Sequence, residues 1–116
     1  MGVTLDDVVA ISFALPGTSE VLVWEGVRTF RVRNKIFVMG SPGSPTILVK
    51  TSREEQAELL ATDPETFTLA PYAGRFGWTQ VRMSTVDADE LGELIIEAWR
   101  RTAPKAAVKA YDGQLS

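Results

Sequence analysis

The fold is decided by residues 28–39, Arg-Thr-Phe-Arg-Val-Arg-Asn-Lys-Ile-Phe-Val-Met. Apolar and polar side chains alternate through residues 28–33, with Phe30 and Val32 on one side and Thr29, Arg31 and Arg33 on the other. Asn34-Lys35 follows, and because asparagine tolerates the positive φ of a tight turn, we expect the chain to reverse there. Residues 36–39 form the return strand. The stretch therefore predicts an antiparallel β-hairpin.

Three helices are predicted outside the hairpin. Thr4 with Asp7 forms a capping box that starts a helix over residues 5–14, and Ser52 with Glu55 starts a second that runs to about residue 62. A third helix follows Asp87 and ends before Pro104, since an unbroken apolar stripe recurs at helical spacing over Leu91, Leu94, Ile95, Ala98 and Trp99.

Further strands are predicted over residues 21–24, 46–50, 67–70 and 78–83, the first joined to the hairpin by a turn at Glu25-Gly26. The predicted order is helix, four strands, helix, two strands, helix. Strands joined by short turns pair antiparallel, so the fold class is α+β. We expect an antiparallel sheet of about six strands with three helices on one face. Residues 1–116 form a single domain with a basic, partly frayed tail from about residue 104.

The composition excludes several kinds of chemistry. The 116 residues include no cysteine and no histidine, so no Ser-His-Asp or Cys-His site and no ordinary zinc site can form. Asp89, Glu93 and Glu97 recur at helical spacing, but the pattern is typical of a solvated face, with Glu97 placed to pair with Arg101. We therefore predict no enzyme activity, no cofactor and no metal.

The sequence also predicts where the chain resides. No apolar run approaches the roughly 20 residues that span a bilayer. The N-terminal segment lacks a basic region ahead of an apolar one, unlike a signal peptide. The expectation is a cytoplasmic protein that does not contact membranes.

Charge is distributed unevenly although the net charge is only −3. Residues 28–53 hold six cations and no acid, whereas residues 54–99 hold ten acids and two cations. One interpretation is a track for phosphate groups, since cations of this kind dominate nucleic-acid affinity. The alternative is an ordinary solvated surface paired with the acids of the helices. The candidate nucleic-acid contacts are Arg31, Arg33, Lys35, Lys50, Arg53 and Arg82.

Aromatic side chains could add stacking to such a surface. Trp99 lies on the apolar stripe of the third helix and is interpreted as core. Trp24 and Trp78 lie on predicted strands, and Trp78 shares a side with Gln80 and Arg82, so it could border an open face, although a core position is favoured. Trp78 and Tyr72, which lies in the loop before it, are the candidate aromatic contacts.

The order of several short motifs resembles the MmcQ/YjbR-like family. The motifs are Leu15-Pro16-Gly17 with Glu20 and Trp24, the hairpin over 30–37, Leu48-Val49-Lys50, Ala70-Pro71-Tyr72, and Trp78 with Val81. Together they span roughly residues 4–110. The resemblance implies a CyaY-like, double-wing fold and the DNA-binding label that the family often carries. The chain departs from the family at Ala98-Trp99, where a Ser-Tyr pair is common.

These observations lead to two hypotheses. The first is a non-enzymatic binding module, monomeric, that contacts DNA weakly and salt-dependently through the basic hairpin. The second is a protein-interaction module, or a module for a small anionic ligand, with no role in nucleic-acid binding.

Overall fold

The computed structural model describes residues 2–23 and 26–115. Trp24 and Glu25 lie outside the described residues. The predictions that fall on them, a stacking role considered for Trp24 and a turn at Glu25, therefore lie outside the described residues too. Four helices are described: α1 (Leu5–Phe13), α2 (Arg53–Thr62), α3 (Ala88–Thr102) and α4 (Lys105–Leu115). The strands are β1 (Ser19–Val23), β2 (Val27–Val32), β3 (Lys35–Gly40), β4 (Thr46–Lys50), β5 (Phe67–Leu69) and β6 (Trp78–Arg82).

The strands form one antiparallel sheet in the order β1-β2-β3-β4-β6-β5. The α+β class and the six-stranded antiparallel sheet are therefore confirmed. One face carries the buried side chains of Phe30, Val38, Val49 and Val81, which alternation places on the same side. The helices cover that face, so the opposite face of the sheet stays open. Among the described residues, no helix combines the length and apolarity needed to cross a membrane.

Local sequence signals set the helix starts as expected. Thr4 and Asp7 form a reciprocal capping box at α1, and the backbone N–H of Glu55 donates to Ser52 Oγ at α2. The apolar stripe of α3 is buried, and Trp99 is fully inaccessible to solvent. The indole Nε1–H of Trp99 donates to the carbonyl oxygen of Pro16 at 3.0 Å, which satisfies its polar atom in the core.

The tail is not frayed, which corrects the sequence prediction. After Pro104 the chain forms α4, whose Tyr111 ring lies 5.3 Å from that of Trp99. Pro104 ends one helix and precedes the next because its missing N–H is tolerated at a helix start, where that donor lacks an intrahelical acceptor. The carbonyl of Pro104 accepts the backbone N–H of Ala107 and of Val108. The fourth helix therefore completes the core over α3.

The hairpin turn also differs from the prediction by one residue. Val32 pairs with Lys35, so the two-residue loop is Arg33-Asn34, with φ of 54° and 66°. Positive φ at both positions defines a type I′ turn, whose twist matches that of paired strands. Lys35 is consequently the first residue of β3. The alternation of β2 stops at Val32, so the prediction that Arg33 shares the sheet face of Arg31 is wrong.

The antiparallel order gives the molecule two distinct ends. We call the hairpin end the one that holds the Arg33-Asn34 turn, the last residue of β4 and the first residue of β6. The far end holds the loop over residues 41–45 and the last residue of β6. Helix α3 begins after β6 at the far end, and its C-terminus reaches Arg33 and Lys35 at the hairpin end. Segments distant in sequence therefore meet at each end.

Candidate functional site

Five of the six candidate cations lie at the hairpin end, and the sixth does not. Arg82 ends β6 at the far end, where it faces a depression lined by Glu65 and Thr85. Arg82 therefore lies apart from the other five candidate cations, and the structure does not bring it to their surface. The reason is topological, since β6 runs antiparallel to β4 and carries its last residue away from Lys50.

The hairpin cations divide between the two sides of the sheet. Arg31 lies on the open face, where its Nε donates to Thr29 Oγ1 at 3.1 Å and its guanidinium donates to Asn34 Oδ1 at 3.4 Å. Lys35 pairs with the core residue Val32 and so lies on the helix-covered side. Arg33 and Lys35 line a cavity of about 520 Å³ together with two further cations, Arg101 and Lys105, and with the three residues between them, 102–104. We call this the corner cavity, since it lies between the hairpin turn and the α3–α4 corner.

Lys50 and Arg53 meet a different partner, the short 3₁₀ turn Gly74–Phe76 that precedes β6. Lys50 Nζ donates to the carbonyl oxygen of Phe76, and its ammonium lies 5.4 Å from the centre of the Trp78 ring. Arg53 donates to the carbonyl oxygen of Arg75 at 2.6 Å. We call this surface the loop cluster, defined by Lys50, Arg53, Tyr72, Arg75, Phe76 and Trp78.

Aromatic rings of the loop cluster are open to solvent. Tyr72 is 96% exposed and Phe76 is 61% exposed, and the Arg75 guanidinium lies 4.8 Å from the centre of the Phe76 ring. Trp78 is half-buried on the open face of the sheet, so the favoured core assignment from sequence is wrong and the alternation argument is correct. Tyr72 has a φ of 61°, a conformation that a bulky residue rarely adopts.

Side-chain hydrogen bonds to backbone carbonyls hold the loop cluster in place. Gln56 of α2 is buried, and its Nε2 donates to the carbonyl oxygens of Gly74 and Trp78, each at 3.0 Å. Thr51 Oγ1 donates to the carbonyl oxygen of Gly77 at 2.8 Å. Gly77 has a φ of 93°, which lets the chain leave the 3₁₀ turn and enter β6. The exposed rings therefore extend from a fixed backbone.

Ion pairs neutralise some cations and leave others free. Arg28 is bound to Glu20 at 2.5 Å, and this hydrogen bond lowers the pKa of the Glu20 carboxyl and raises the pKa of Arg28. Arg100 pairs with Glu97 and Asp112, and Arg101 pairs with Glu55 at 3.0 Å. The predicted pair of Glu97 with Arg101 is therefore wrong. Within the part of the chain that is described, cations without a carboxylate partner include Arg31, Arg33, Lys35, Lys50, Arg53, Arg75 and Lys105.

The far end has the opposite character. Burial raises the pKa of Glu90, and the neighbouring carboxylates of Asp63, Asp87 and Glu93 raise it further. Over residues 2–23 and 26–115, no group of three acids is arranged to hold a metal ion. These carboxylates give the far end a concentration of negative charge, which is unfavourable for an anion.

Sequence analysis missed four members of the hairpin end. Arg75 and Phe76 sit between two glycines, and a cation beside an aromatic in a glycine-flanked turn is the signal that could have identified them. Arg101 and Lys105 flank Pro104 and were assigned to a helix terminus and a tail. Only the packing of α3 and α4 against the hairpin brings them to the corner cavity.

Comparison with known proteins identifies the family. The family model YjbR matches residues 13–101. Uncharacterized protein Rv2570 of Mycobacterium tuberculosis and Uncharacterized protein Mb2600 of Mycobacterium bovis are each 30% identical over 122 aligned residues, covering 93% of this chain and 95% of the relative.

The fold has a solved counterpart. The crystal structure of Deinococcus radiodurans protein DR2400, with a DUF419 domain, superposes with a TM-score of 0.79 and 21% identity, over 92% of this chain and 86% of that one. At this identity the likeness concerns the fold. The resemblance inferred from the order of short motifs is confirmed by the family model and the mycobacterial relatives, and this chain belongs to the YjbR family.

Proposed function

We propose that the chain is a non-enzymatic binding module that contacts nucleic acid at its hairpin end, through the loop cluster and Arg31. The observation that carries the proposal is the joint presence of unpaired cations and solvent-exposed rings on a fixed backbone. Cations neutralise phosphates, and exposed rings stack on bases without demanding a sequence. The expected affinity is weak and falls as salt rises.

The geometry of the loop cluster favours a single strand over a duplex. Tyr72 and Phe76 extend from a loop rather than from a helix that could enter a major groove. Trp78 lies on the open sheet face with Lys50 beside it, which resembles the arrangement by which sheets stack unpaired bases. Arg31 lies on the same open face, so a strand crossing the sheet meets cation and ring in turn.

The proposal is tested by fluorescence anisotropy with single-stranded and duplex oligonucleotides that carry 5′-hydroxyl ends. With about four phosphate contacts, affinity should fall roughly a hundredfold between about 50 and 200 mM salt. Lys50→Ala with Arg75→Ala, or Arg31→Ala with Arg53→Ala, should reduce the salt slope. Arg82→Ala removes an exposed arginine from the far end and serves as the matched control. Binding that survives both double substitutions would falsify the proposal.

A protein-interaction role is the second candidate, and one observation favours it. The edge strand β1 exposes Val21 and Leu22, the latter at 66%, next to unpaired backbone groups. An exposed edge of this kind can accept an added strand from a partner. Leu22→Lys should then abolish co-purification with the partner and leave oligonucleotide binding unchanged, which separates the two candidates.

A further inference from the structure

We propose that the corner cavity is a binding site for a phosphate monoester dianion, separate from the loop cluster. Its lining brings together Arg33, Lys35, Arg101 and Lys105, with Thr102, Ala103 and Pro104. The four cations come from three different elements, the hairpin, α3 and α4. They are therefore collected by the tertiary structure and do not form a single run of basic residues.

The charge of the cavity favours a doubly charged group. Of the four cations, Arg101 is bound to Glu55, and the other three have no carboxylate partner among the described residues. Four cations against one carboxylate leave an excess of three positive charges around a single space. A dianion gains about twice the electrostatic energy of a carboxylate or a phosphodiester at the same position. The terminal phosphate of a monoester is therefore the favoured ligand.

The side chains supply this charge, and the helix dipoles do not. The C-terminus of α3 and the N-terminus of α4 meet at Ala103-Pro104, so their partial charges have opposite sign and largely cancel there. Arg33 holds a φ of 54° at a turn position that Asn or Gly normally occupies. Arg33 also lines the cavity, and a guanidinium can offer two parallel N–H groups to phosphate oxygens.

The size of the cavity indicates what is attached to the phosphate. A volume of about 520 Å³ exceeds that of one phosphate ion and lies within the range of sites for small organic ligands. Two sources share the chemistry, a small phosphorylated metabolite and the phosphorylated 5′ end of a nucleic acid. The second would rest on the proposed function, whereas the first would not.

The experiment uses ¹⁵N-labelled full-length protein titrated with inorganic phosphate, ribose 5-phosphate or sulfate at constant ionic strength, followed by amide chemical shifts. We expect shifts confined to the turn at 33–35 and the corner at 101–105. The variant Lys35→Gln with Lys105→Gln should weaken phosphate binding by about tenfold or more, because both lost cations face the ligand. Lys109 of α4 is not among the residues that line this cavity, so the matched variant Lys109→Gln should bind like the parent protein.

Two comparisons make the result decisive. If a 5′-phosphorylated oligonucleotide binds more tightly than its 5′-hydroxyl counterpart, and does so only when Lys35 and Lys105 are intact, the source of the phosphate is a nucleic-acid end. If only ribose 5-phosphate binds tightly, the source is a metabolite. The proposed site would be overturned if sulfate and phosphate caused equal amide shifts near every exposed cation. It would also be overturned if the double substitution left phosphate binding unchanged. Binding of 5′-hydroxyl oligonucleotides tests the loop cluster separately, so each proposal can fail without the other.

Discussion

At the hairpin end of the sheet, unpaired cations surround the turn, the loop cluster and the corner cavity; at the far end, burial and then the neighbouring carboxylates raise the pKa of Glu90. The sequence alternates basic and acidic segments, and the antiparallel topology sorts these segments to opposite ends. Helix charge preferences contribute, since α3 begins with Asp89 and Glu90 at the far end and finishes with Arg100 and Arg101 at the hairpin end.

Helix α2 provides the exception that supports this explanation. It begins at the hairpin end, so its first-turn acids, Glu54 and Glu55, lie on the basic side. Glu55 is used there as the partner of Arg101. The direction of a helix therefore decides which end of the molecule its capping charges reach. A net charge of −3 consequently conceals a strongly polarised molecule.

The largest expected difference between the ends concerns two glycines. A Cβ on Gly77 would lie 2.5 Å from the carbonyl oxygen of Thr51, at a φ of 93°, so Gly77→Ala should cost about 4 kcal/mol of unfolding free energy. Gly43 in the far-end loop also has positive φ but no atom near its added Cβ, so Gly43→Ala should cost only about 1 kcal/mol. Urea unfolding measures the free energy of unfolding of both variants. Equal losses would show that the backbone at the hairpin end is no more tightly packed than that at the far end.

Charge reversal should separate the ends next. Lys50→Glu with Arg75→Glu replaces two unpaired cations of the loop cluster by acids, and we expect at least a hundredfold loss of oligonucleotide affinity, about 2.7 kcal/mol. Arg82→Glu adds an acid to the far end and should change affinity less than about threefold, since the ends lie farther apart than a Debye length of about 8 Å. Anisotropy titrations check this, with thermal melts confirming that each variant folds.

The hairpin turn offers a smaller effect on stability. Asn34 has a φ of 66° in a type I′ turn, where glycine at the second position is preferred. Asn34→Gly should therefore stabilise the protein by roughly 0.5–1 kcal/mol. The matched change in the far-end loop is Ser41→Gly. Ser41 does not have a positive φ, so this change should not stabilise the protein. A lowered urea midpoint for Asn34→Gly would mean that its contact with Arg31 outweighs the turn geometry.

The smallest expected effect depends on pH. The folded-state pKa of Glu90 is raised, so the folded protein holds the proton more tightly than the unfolded chain, and stability declines as pH rises from about 4.5, the ordinary pKa of a glutamate, through the folded pKa. Glu90→Gln should remove this decline and stabilise the protein at neutral pH by up to about 0.5 kcal/mol. Glu58→Gln is the control. Urea midpoints are measured across this pH range for the parent protein and for Glu90→Gln. An equal decline in both proteins would contradict a raised pKa of Glu90 at the far end.

Short-range patterns explain why much of the fold was predictable. The capping boxes at Thr4 and Ser52 and the apolar stripe ending at Trp99 depend on spacings of a few residues. The hairpin turn lies one residue earlier than its residue types predict, because Arg33, a residue that rarely adopts positive φ, occupies a turn position. Helix α4 was missed because Pro104 signals a helix end and a helix start alike.

The candidate site was less predictable, since its members come from all parts of the chain. Lys50 and Arg75 are neighbours only because β4 pairs with β6, and Arg33 and Lys105 only because α3 returns to the hairpin. The sequence by itself determined the element order, the core stripe and the number of charges. Tertiary structure alone decided which charges meet. Strand order and helix direction bring together segments that are far apart along the chain, and no local sequence pattern indicates that such segments will be neighbours.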